Sequence, residues 1–178
     1  MSKRILRYLK GTKKLKLTFE KSAEVAGYSD ASYAEDKNDR KSTGGYVFMM
    51  NGGAVSWKSS KQKIVTMSSC EAEYVTLSDA AKEAIWLTKL MKNVDKKKIL
   101  KPIRIYEDNQ STIKTAKNPI QSERTKHIDV RHHFIREKVA EKRIEVEYIS
   151  TTDQIADIFT KSLGRVLHMK FTGALGLR

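Results

Sequence analysis

Residues 27–59 read GYSDASYAEDKNDRKSTGGYVFMMNGGAVSWKS, and they predict three consecutive strands. Residues 23–30 have the character of a strand that ends at the acidic Asp30. GYVFMM and AVSWKS follow after a polar turn, and Asn51-Gly52-Gly53 separates them. Asn-Gly between two β-prone runs is the strongest short hairpin signal, because both residues tolerate positive φ. The stretch therefore predicts an antiparallel meander.

A long helical pattern follows the meander, from Thr66 to Val94. Ser68 or Ser69 is the expected N-cap, and Glu71 is spaced to form a capping box with Ser68. Apolar residues recur at helical spacing, which predicts an inward face. The inward positions are Ala72, Val75, Ala80, Ala84, Leu87 and Met91.

The rest of the chain alternates between strand and helix patterns. PIRIYED predicts a strand, Asn109 to Lys117 a short helix, HIDVRHHFIREKVAEK a longer helix, RIEVEYIS a strand and DQIADIFTKSL a final helix. In the longer helix the expected inward residues are Ile128, Phe134, Ile135 and Val139. At the other end, SKRILRYLKG predicts a basic helix and LKLTFE a strand. This order is typical of an α/β fold whose mixed sheet combines the meander with parallel crossovers.

Composition narrows the class of protein. The chain has 178 residues, enough for one domain with a core, and 35 Lys+Arg against 21 Asp+Glu give a net charge of +14. Such a basic domain most often binds nucleic acid, and an acidic membrane surface is the rival partner. No apolar run approaches the roughly 20 residues that span a bilayer, and the N-terminus lacks the pattern of a signal peptide. The single Cys70 excludes an internal disulfide framework and suits a reducing compartment.

Four acidic residues lie beside apolar patterns in this basic chain: Asp30, Glu73, Asp108 and Asp157. A carboxylate in such a place is costly unless it has a partner. Carboxylates brought together by a fold hold divalent metal, and the surrounding positive charge suits a polyanion. The pattern therefore predicts metal-dependent cleavage of nucleic acid.

Two of these acids have acidic neighbours that compete for the same role. Glu71 and Glu73 lie two apart on a helix, about 200° around its axis, so only one faces a given site. Glu107 and Asp108 point to opposite faces of a strand, so again only one enters.

Several runs together resemble one known family. They are GYSDASYAEDKNDRKSTGGYVF, AVSWKSSKQ, SSCEAEYVTLSDAAKEAIWL, IYEDNQSTI, RTKHIDVRHHFIREKV and TTDQIADIFTKSL. In order and spacing they are similar to the ribonuclease H domain of copia-type LTR retrotransposon Pol polyproteins, over about residues 24–175. RILRYLKGTKKLKLTFE resembles the end of the reverse transcriptase region, while the chain has no YxDD-type polymerase motif. The resemblance implies a reverse transcriptase tail at 1–22, a ribonuclease H-like domain at 23–164 and a C-terminal tail at 165–178.

The resemblance also implies a fold and an activity. The fold is a ribonuclease H-like, five-stranded mixed sheet with three antiparallel strands plus parallel strands, flanked by helices. The activity is cleavage of the RNA strand of RNA–DNA hybrids, with Asp30, Glu73, Asp108 and Asp157 as catalytic residues and metal ligands. Two Mg²⁺ ions, or Mn²⁺ in their place, would lie roughly 3.5–4 Å apart. The implied partners are the hybrid and the reverse transcriptase region of the same polyprotein, with no membrane. The implied location is cytoplasmic, in a virus-like particle, or nuclear.

Other residues are candidates for nucleic-acid contact. Arg40, Lys41, Ser42 and Thr43 form a cluster that can hold a phosphate or simply make a turn. In this family the spot occupied by Asn109 and Gln110 faces the substrate minor groove, where amides meet 2′-hydroxyls. Arg124, Lys126 and Arg131 can line the hybrid's backbone or form a solvated helix face.

Histidines and tryptophans offer weaker signals. The His127–His133 segment has no zinc-site spacing, so a structural role or a phosphate contact is favoured. Trp57 and Trp86 are expected in the core, with an exposed Trp57 that stacks on a sugar as the alternative. Many ribonucleases H carry a histidine in the loop before the last helix, whereas this chain has Ser150-Thr151-Thr152 there.

Two alternatives remain open at this stage. A decayed element would leave a catalytically inactive domain that still binds nucleic acid. An integrase or resolvase-like nuclease can share the fold, but the order Asp–Glu–Asp–Asp, with its glutamate on the first helix, favours ribonuclease H over the Asp–Asp–Glu order of integrases.

Overall fold

A five-stranded mixed sheet organises the chain, in the order β3-β2-β1-β4-β5. The computed structural model describes residues 2–20, 24–36, 38–96, 101–118 and 126–178. The strands are β1 (Val25–Ser32), β2 (Thr43–Met50), β3 (Gly53–Lys61), β4 (Ile103–Glu107) and β5 (Ile144–Tyr148). β1, β2 and β3 pair antiparallel, whereas β4 pairs parallel with both β1 and β5. The mixed sheet predicted from the sequence is confirmed.

The hairpin between β2 and β3 turns on two residues. Asn51 has φ 55° and Gly52 has φ 75°, and Met50 pairs with Gly53 on either side of them. A two-residue turn with both residues at positive φ matches the twist of the flanking strands. The Asn-Gly signal therefore predicted the position of this turn.

Five α-helices accompany the sheet in the described part of the chain. They are α1 (Ser2–Gly11), α2 (Ser69–Val94), α3 (Gln110–Lys117), α4 (Lys126–Ala140) and α5 (Arg165–Ala174). Ser68 caps α2, since its hydroxyl accepts the Glu71 N–H at 3.2 Å. The Glu71 carboxylate accepts from the Met67 N–H, one residue earlier than a capping box requires.

The core lies on both faces of the sheet. Alternation along β2 sends Phe48 into a larger cluster, with Leu77 of α2 and Ile135 of α4, and sends Val47 into a smaller one. The predicted inward residues of α2 and α4 belong to this core, with Met91, Phe134 and Val139 only partly buried. Among the described residues, none forms a helix long and apolar enough to cross a membrane.

The end of the chain differs from the sequence prediction. DQIADIFTKSL does not form an α-helix; 3₁₀ turns at Thr151–Asp153 and Ile155–Phe159 take its place. The reason is tertiary: the Gln154 side chain accepts from the Ala156 N–H and donates to the Ser29 carbonyl at 2.9 Å, which fixes this segment against β1. Residues 165–178, predicted as a tail, contain α5, whose Phe171 is buried in the smaller cluster. The domain boundaries themselves stay predictions.

The predicted strand LKLTFE is also wrong. Of this stretch, Leu17 makes only an isolated bridge to Leu177. The Lys16 and Arg178 backbones exchange hydrogen bonds of 2.7 and 3.0 Å, and the Thr18 N–H donates to the Gly176 carbonyl at 2.8 Å. The backbone partner of residues 16–18 is thus the short segment 176–178, while the Glu20 N–H donates to the Asn51 carbonyl of the β2–β3 turn at 2.6 Å, and no longer ladder forms. We call residues 16–18 and 176–178 the terminal clasp.

Both tryptophans lie outside the core, against prediction. Trp57 is 57% exposed and Trp86 is 53% exposed. Trp57 lies on β3, which is one of the two edge strands of the sheet, and Trp86 lies on the side of α2 opposite to the core. Neither position has an element of the described chain that covers it completely.

Candidate active site

Three of the predicted acids meet at one edge of the sheet. Asp30 lies near the end of β1, and Asp108 directly follows β4, the parallel neighbour of β1. Because parallel neighbours end at the same edge, the two carboxylates come together there. Glu73 approaches from the second turn of α2. One oxygen from each of the three lies within 4.8 Å of the others. We call Asp30, Glu73 and Asp108 the acidic trio.

Asp157 joins this site through a residue that the sequence analysis missed. The Lys161 ammonium lies 2.9 Å from Asp30 Oδ1 and 2.8 Å from Asp157 Oδ1. The Thr160 hydroxyl donates to Asp30 Oδ2. The spacing of Asp157 and Lys161, four residues apart, was a visible signal for their own pairing. It gave no indication of the contact with Asp30, because Asp30 is 131 residues away.

Burial and mutual repulsion change the acidity of the site. Burial raises the pKa of Glu73 well above its usual value, and the neighbouring Glu107 and Asp30 raise it further. Burial likewise raises the pKa of Asp157 to about 6, against the opposing hydrogen bond from Lys161. For Lys161, burial lowers the pKa, but the charges of Asp30 and Asp157 outweigh it and the net pKa is raised. Burial and the neighbouring acids therefore favour the protonated forms of Glu73 and Asp157, whereas a nearby cation favours their charged forms.

The ambiguity between Glu107 and Asp108 is resolved by their partners. Glu107 is fully buried and accepts hydrogen bonds from the Ser29 hydroxyl at 3.0 Å and the Asn109 N–H at 3.2 Å. Asp108 is half-buried and accepts from the Thr151 hydroxyl at 2.7 Å. Asp108 thus faces Asp30 and Glu73, while Glu107 is hydrogen-bonded inside the protein at the end of β4. A buried role for Glu107 had no signal in the sequence apart from its place in an apolar strand.

The cluster after β1 divides into exposed and buried members. Arg40 is exposed with φ 56°, and Lys41 and Thr43 are half-buried. Ser42 is fully buried, and its hydroxyl accepts the Ala34 N–H at 3.0 Å and contacts the Thr66 hydroxyl at 3.2 Å. The Ser42 hydroxyl is therefore engaged inside the protein, where it closes the turn.

The other candidates for nucleic-acid contact are scattered. Asn109 caps α3 by accepting from the Ser111 and Thr112 N–H groups, and Gln110 is exposed beside it. Arg131 bonds to α2, at 3.2 Å from the Val75 carbonyl and 3.0 Å from Asp79 Oδ1. Lys126 begins α4, and Arg124 lies outside the described residues.

The histidines of α4 have separate environments. The His132 ring lies 4.1 Å from the buried Tyr74 ring, centroid to centroid, and burial lowers the pKa of His132. His133 is exposed, with Nδ1 3.8 Å from Glu137. These contacts favour the structural role that the sequence suggested over a metal site.

Comparison with known proteins gives a consistent assignment. No family model matches the chain. The chain is 44% identical, over 90% of its length, to the retrovirus-related Pol polyprotein from transposon TNT 1-94 of Nicotiana tabacum. It is 38% identical, over 98% of its length, to that from transposon RE1 of Arabidopsis thaliana. The chain spans 12% of the length of each of these two relatives.

Solved structures of similar fold include two ribonuclease H domains. The N-terminal RNase H domain of a Mycobacterium tuberculosis protein superposes with a TM-score of 0.58 at 13% identity, covering 86% of this chain and 96% of that one. LC11-RNase H1, solved in complex with an RNA/DNA hybrid, gives 0.56 at 13% identity, covering 77% and 94%. The chain belongs with the ribonuclease H-like domains of transposon Pol polyproteins. In this ribonuclease H-like domain, the fold brings the acidic trio together at one edge of the sheet.

A divalent cation fits the acidic trio of this ribonuclease H-like domain. Glu73 Oε2 is buried and has no hydrogen-bond partner among the described residues. Such an oxygen is costly unless a cation or water satisfies it. Carboxylate oxygens are the ligands that hard divalent cations prefer. The donor set therefore suits a cation at the trio.

Proposed function

We propose that this chain is a metal-dependent endoribonuclease that cleaves the RNA strand of RNA–DNA hybrids during retrotransposon reverse transcription. The observation that carries the proposal is the acidic trio, with its unpartnered Glu73 oxygen, at the edge of a ribonuclease H-like sheet. Asp30, Glu73, Asp108 and Asp157 are the proposed ligands of two Mg²⁺ ions, for which Mn²⁺ can substitute.

In this mechanism the protein's own residues hold the metal-binding carboxylates in position. When bound, the divalent cations would activate a water for attack on phosphorus and neutralise charge on the phosphate. The ends of β1 and β4 fix the backbones of Asp30 and Asp108, and the hydroxyls of Thr160 and Thr151 orient the two carboxylates. Orientation set before substrate arrives lowers the cost of reaching the reactive geometry.

The proposed substrate follows from charge and similarity. A net charge of +14 favours a polyanion, and the exposed Arg40 lies on the loop that leaves β1, the strand that carries Asp30. One structural neighbour was solved with an RNA/DNA hybrid, which supports the same ligand here. The Pol relatives support the reverse transcriptase region as the natural partner, and that region would add contacts with the hybrid.

The test is cleavage of an end-labelled RNA–DNA hybrid in Mg²⁺ and in Mn²⁺. We expect cuts in the RNA strand only, no cutting in EDTA, and a loss of about 1000-fold or more in Asp30→Asn, because several kcal/mol of charge stabilisation depend on the metal. Asp153→Asn is the matched control. Asp153 is an exposed acid that pairs with Lys170 at 2.7 Å, outside the trio, so this variant should retain full activity.

Other outcomes would separate the alternatives. Salt-sensitive binding of the hybrid without cutting would favour an inactive nucleic-acid-binding remnant, or a domain that requires its polymerase. Adding the reverse transcriptase region in trans would distinguish those two. Cutting of duplex DNA ends in preference to hybrid would refute the proposal.

A further inference from the structure

The position between Asp30 and Asp157 is already filled by positive charge. Lys161 Nζ lies 2.9 Å from Asp30 Oδ1 and 2.8 Å from Asp157 Oδ1. The Asp30 side chain is 0% exposed and that of Asp157 is 8% exposed. Two buried carboxylates side by side require a counter-charge, and Lys161 provides it.

The local backbone delivers Lys161 to this place. The Lys161 N–H donates to the Asp157 carbonyl at 2.9 Å, so the chain completes one tight turn between the two residues. That turn puts the lysine stem over Asp157 and lets its ammonium reach Asp30. The neighbouring Thr160 hydroxyl takes the other oxygen of Asp30. Both oxygens of Asp30 are thus engaged by the same turn.

The Lys161 ammonium can also leave its position between Asp30 and Asp157. Its side chain is 36% exposed, unlike the two carboxylates that it joins. A lysine has a flexible four-carbon stem and a strongly hydrated ammonium, so it can move its charge into solvent without backbone change. A divalent cation that used Asp30 and Asp157 together would need the oxygens that Lys161 now holds.

We propose that Lys161 is an internal counter-cation that occupies the position between Asp30 and Asp157 and is displaced when a divalent cation binds there. In the first cation position, at the trio, Lys161 bonds to one of the three carboxylates, Asp30. In the second, between Asp30 and Asp157, it bonds to both carboxylates, and there lysine and metal compete directly. The inference rests on the proposed function because it concerns the same carboxylates. Its test is the binding of a divalent cation, not the cleavage of the hybrid.

The experiment titrates Mn²⁺ into the metal-free protein by calorimetry and compares Lys161→Met with wild type. Wild type should show one stronger and one weaker binding event. In Lys161→Met the Mn²⁺ affinity of the weaker event should rise about ten-fold or more, because the charge-assisted hydrogen bonds of the competing Lys161 ammonium are lost. In EDTA the same variant should unfold at a temperature lower by about 3 °C or more, and saturating Mn²⁺ should raise that temperature more than in wild type.

Lys170→Met is the matched control. Lys170 also pairs with an aspartate, Asp153, at 2.7 Å, but both side chains are about half exposed and lie outside the site. Its variant should leave both binding events unchanged. Unchanged or weaker Mn²⁺ binding in Lys161→Met would overturn the inference.

A second measurement needs no variant. Amine acylation followed by peptide mass spectrometry should label Lys161 several-fold faster in saturating Mn²⁺ than in EDTA, with Lys170 as the internal standard. Equal labelling of Lys161 in both conditions would refute displacement. Competition at Lys161 without hybrid cleavage would count against the proposed function alone, whereas cleavage with no effect of Lys161 on binding would count against this inference alone. No Mn²⁺ binding in either protein would overturn both.

Discussion

Replacing Glu107 with glutamine should remove part of the pH dependence of stability. Glu107 is fully buried, and burial raises its pKa to about 8 from an ordinary 4.5, although hydrogen bonds from the Asn109 N–H and the Ser29 hydroxyl oppose the shift. The folded protein therefore binds a proton here that the unfolded chain has lost. The contribution of Glu107 to the stability of the protein is therefore highest at low pH, and it falls as pH rises from about 4.5 to about 8.

The size of the effect follows from the linkage between proton binding and folding. One proton held only by the folded state changes the free energy of unfolding by about 1.4 kcal/mol per pH unit. The unfolded glutamate is still partly protonated at pH 5, so wild type should lose about 2 kcal/mol between pH 5 and pH 7 through Glu107. Glutamine has the same shape and does not titrate, so Glu107→Gln should escape this loss.

The assay is urea unfolding at pH 5, 6, 7 and 8 in EDTA. The stability of Glu107→Gln relative to wild type should rise by about 2 kcal/mol from pH 5 to pH 7. Glu145→Gln, on the neighbouring β5 with a side chain 50% exposed, is the control and should run parallel to wild type. If the Glu107→Gln and wild-type curves also run parallel, then Glu107 is not held protonated and the reasoning is wrong.

Three further predictions concern packing and charge. Phe171→Ala should cost about 3–5 kcal/mol in urea unfolding, because the side chain is 1% exposed in the smaller cluster; a loss under 1 kcal/mol would mean that α5 is not part of the folded unit. Gly27→Ala should cost about 1–3 kcal/mol by the same measurement, because the new Cβ would lie 2.5 Å from Phe48 Cε1; neutral stability would show that Phe48 moves freely. Arg40→Gln should reduce the slope of log affinity against log salt for hybrid binding by about 0.9, as expected for one lost phosphate contact; an unchanged slope would place the hybrid elsewhere.

Local signals explain what could be predicted from the sequence. The turn at Asn51-Gly52 and the capped start of α2 at Ser68 depend on residues within a few positions of each other. The trio was predicted because each acid followed or lay within a strongly patterned element. Topology then brought Asp30 and Asp108 to the same edge of the sheet.

Distant contacts explain what could not be predicted. Gln154 bonds to Ser29, 125 residues away, and this tie holds a helix-like sequence in 3₁₀ turns. Lys161 finds Asp30 across a similar distance. The exposure of Trp57 depends on β3 being an edge strand, and the position of a strand in the sheet cannot be read from its own residues.

The terminal clasp has a consequence for synthesis on the ribosome. The Thr18 hydroxyl donates to the Gly176 carbonyl at 2.9 Å, across 158 residues of chain. At about 5–20 residues per second, translation separates these partners by about 8–30 s. Residues 16–18 therefore have no partner in segment 176–178 while the sheet is being synthesised. They can pair only after residues 176–178 emerge from the ribosome. Deleting residues 176–178 would therefore leave the backbone groups of residues 16–18 without these hydrogen-bond partners, although the strands of the sheet would all be present.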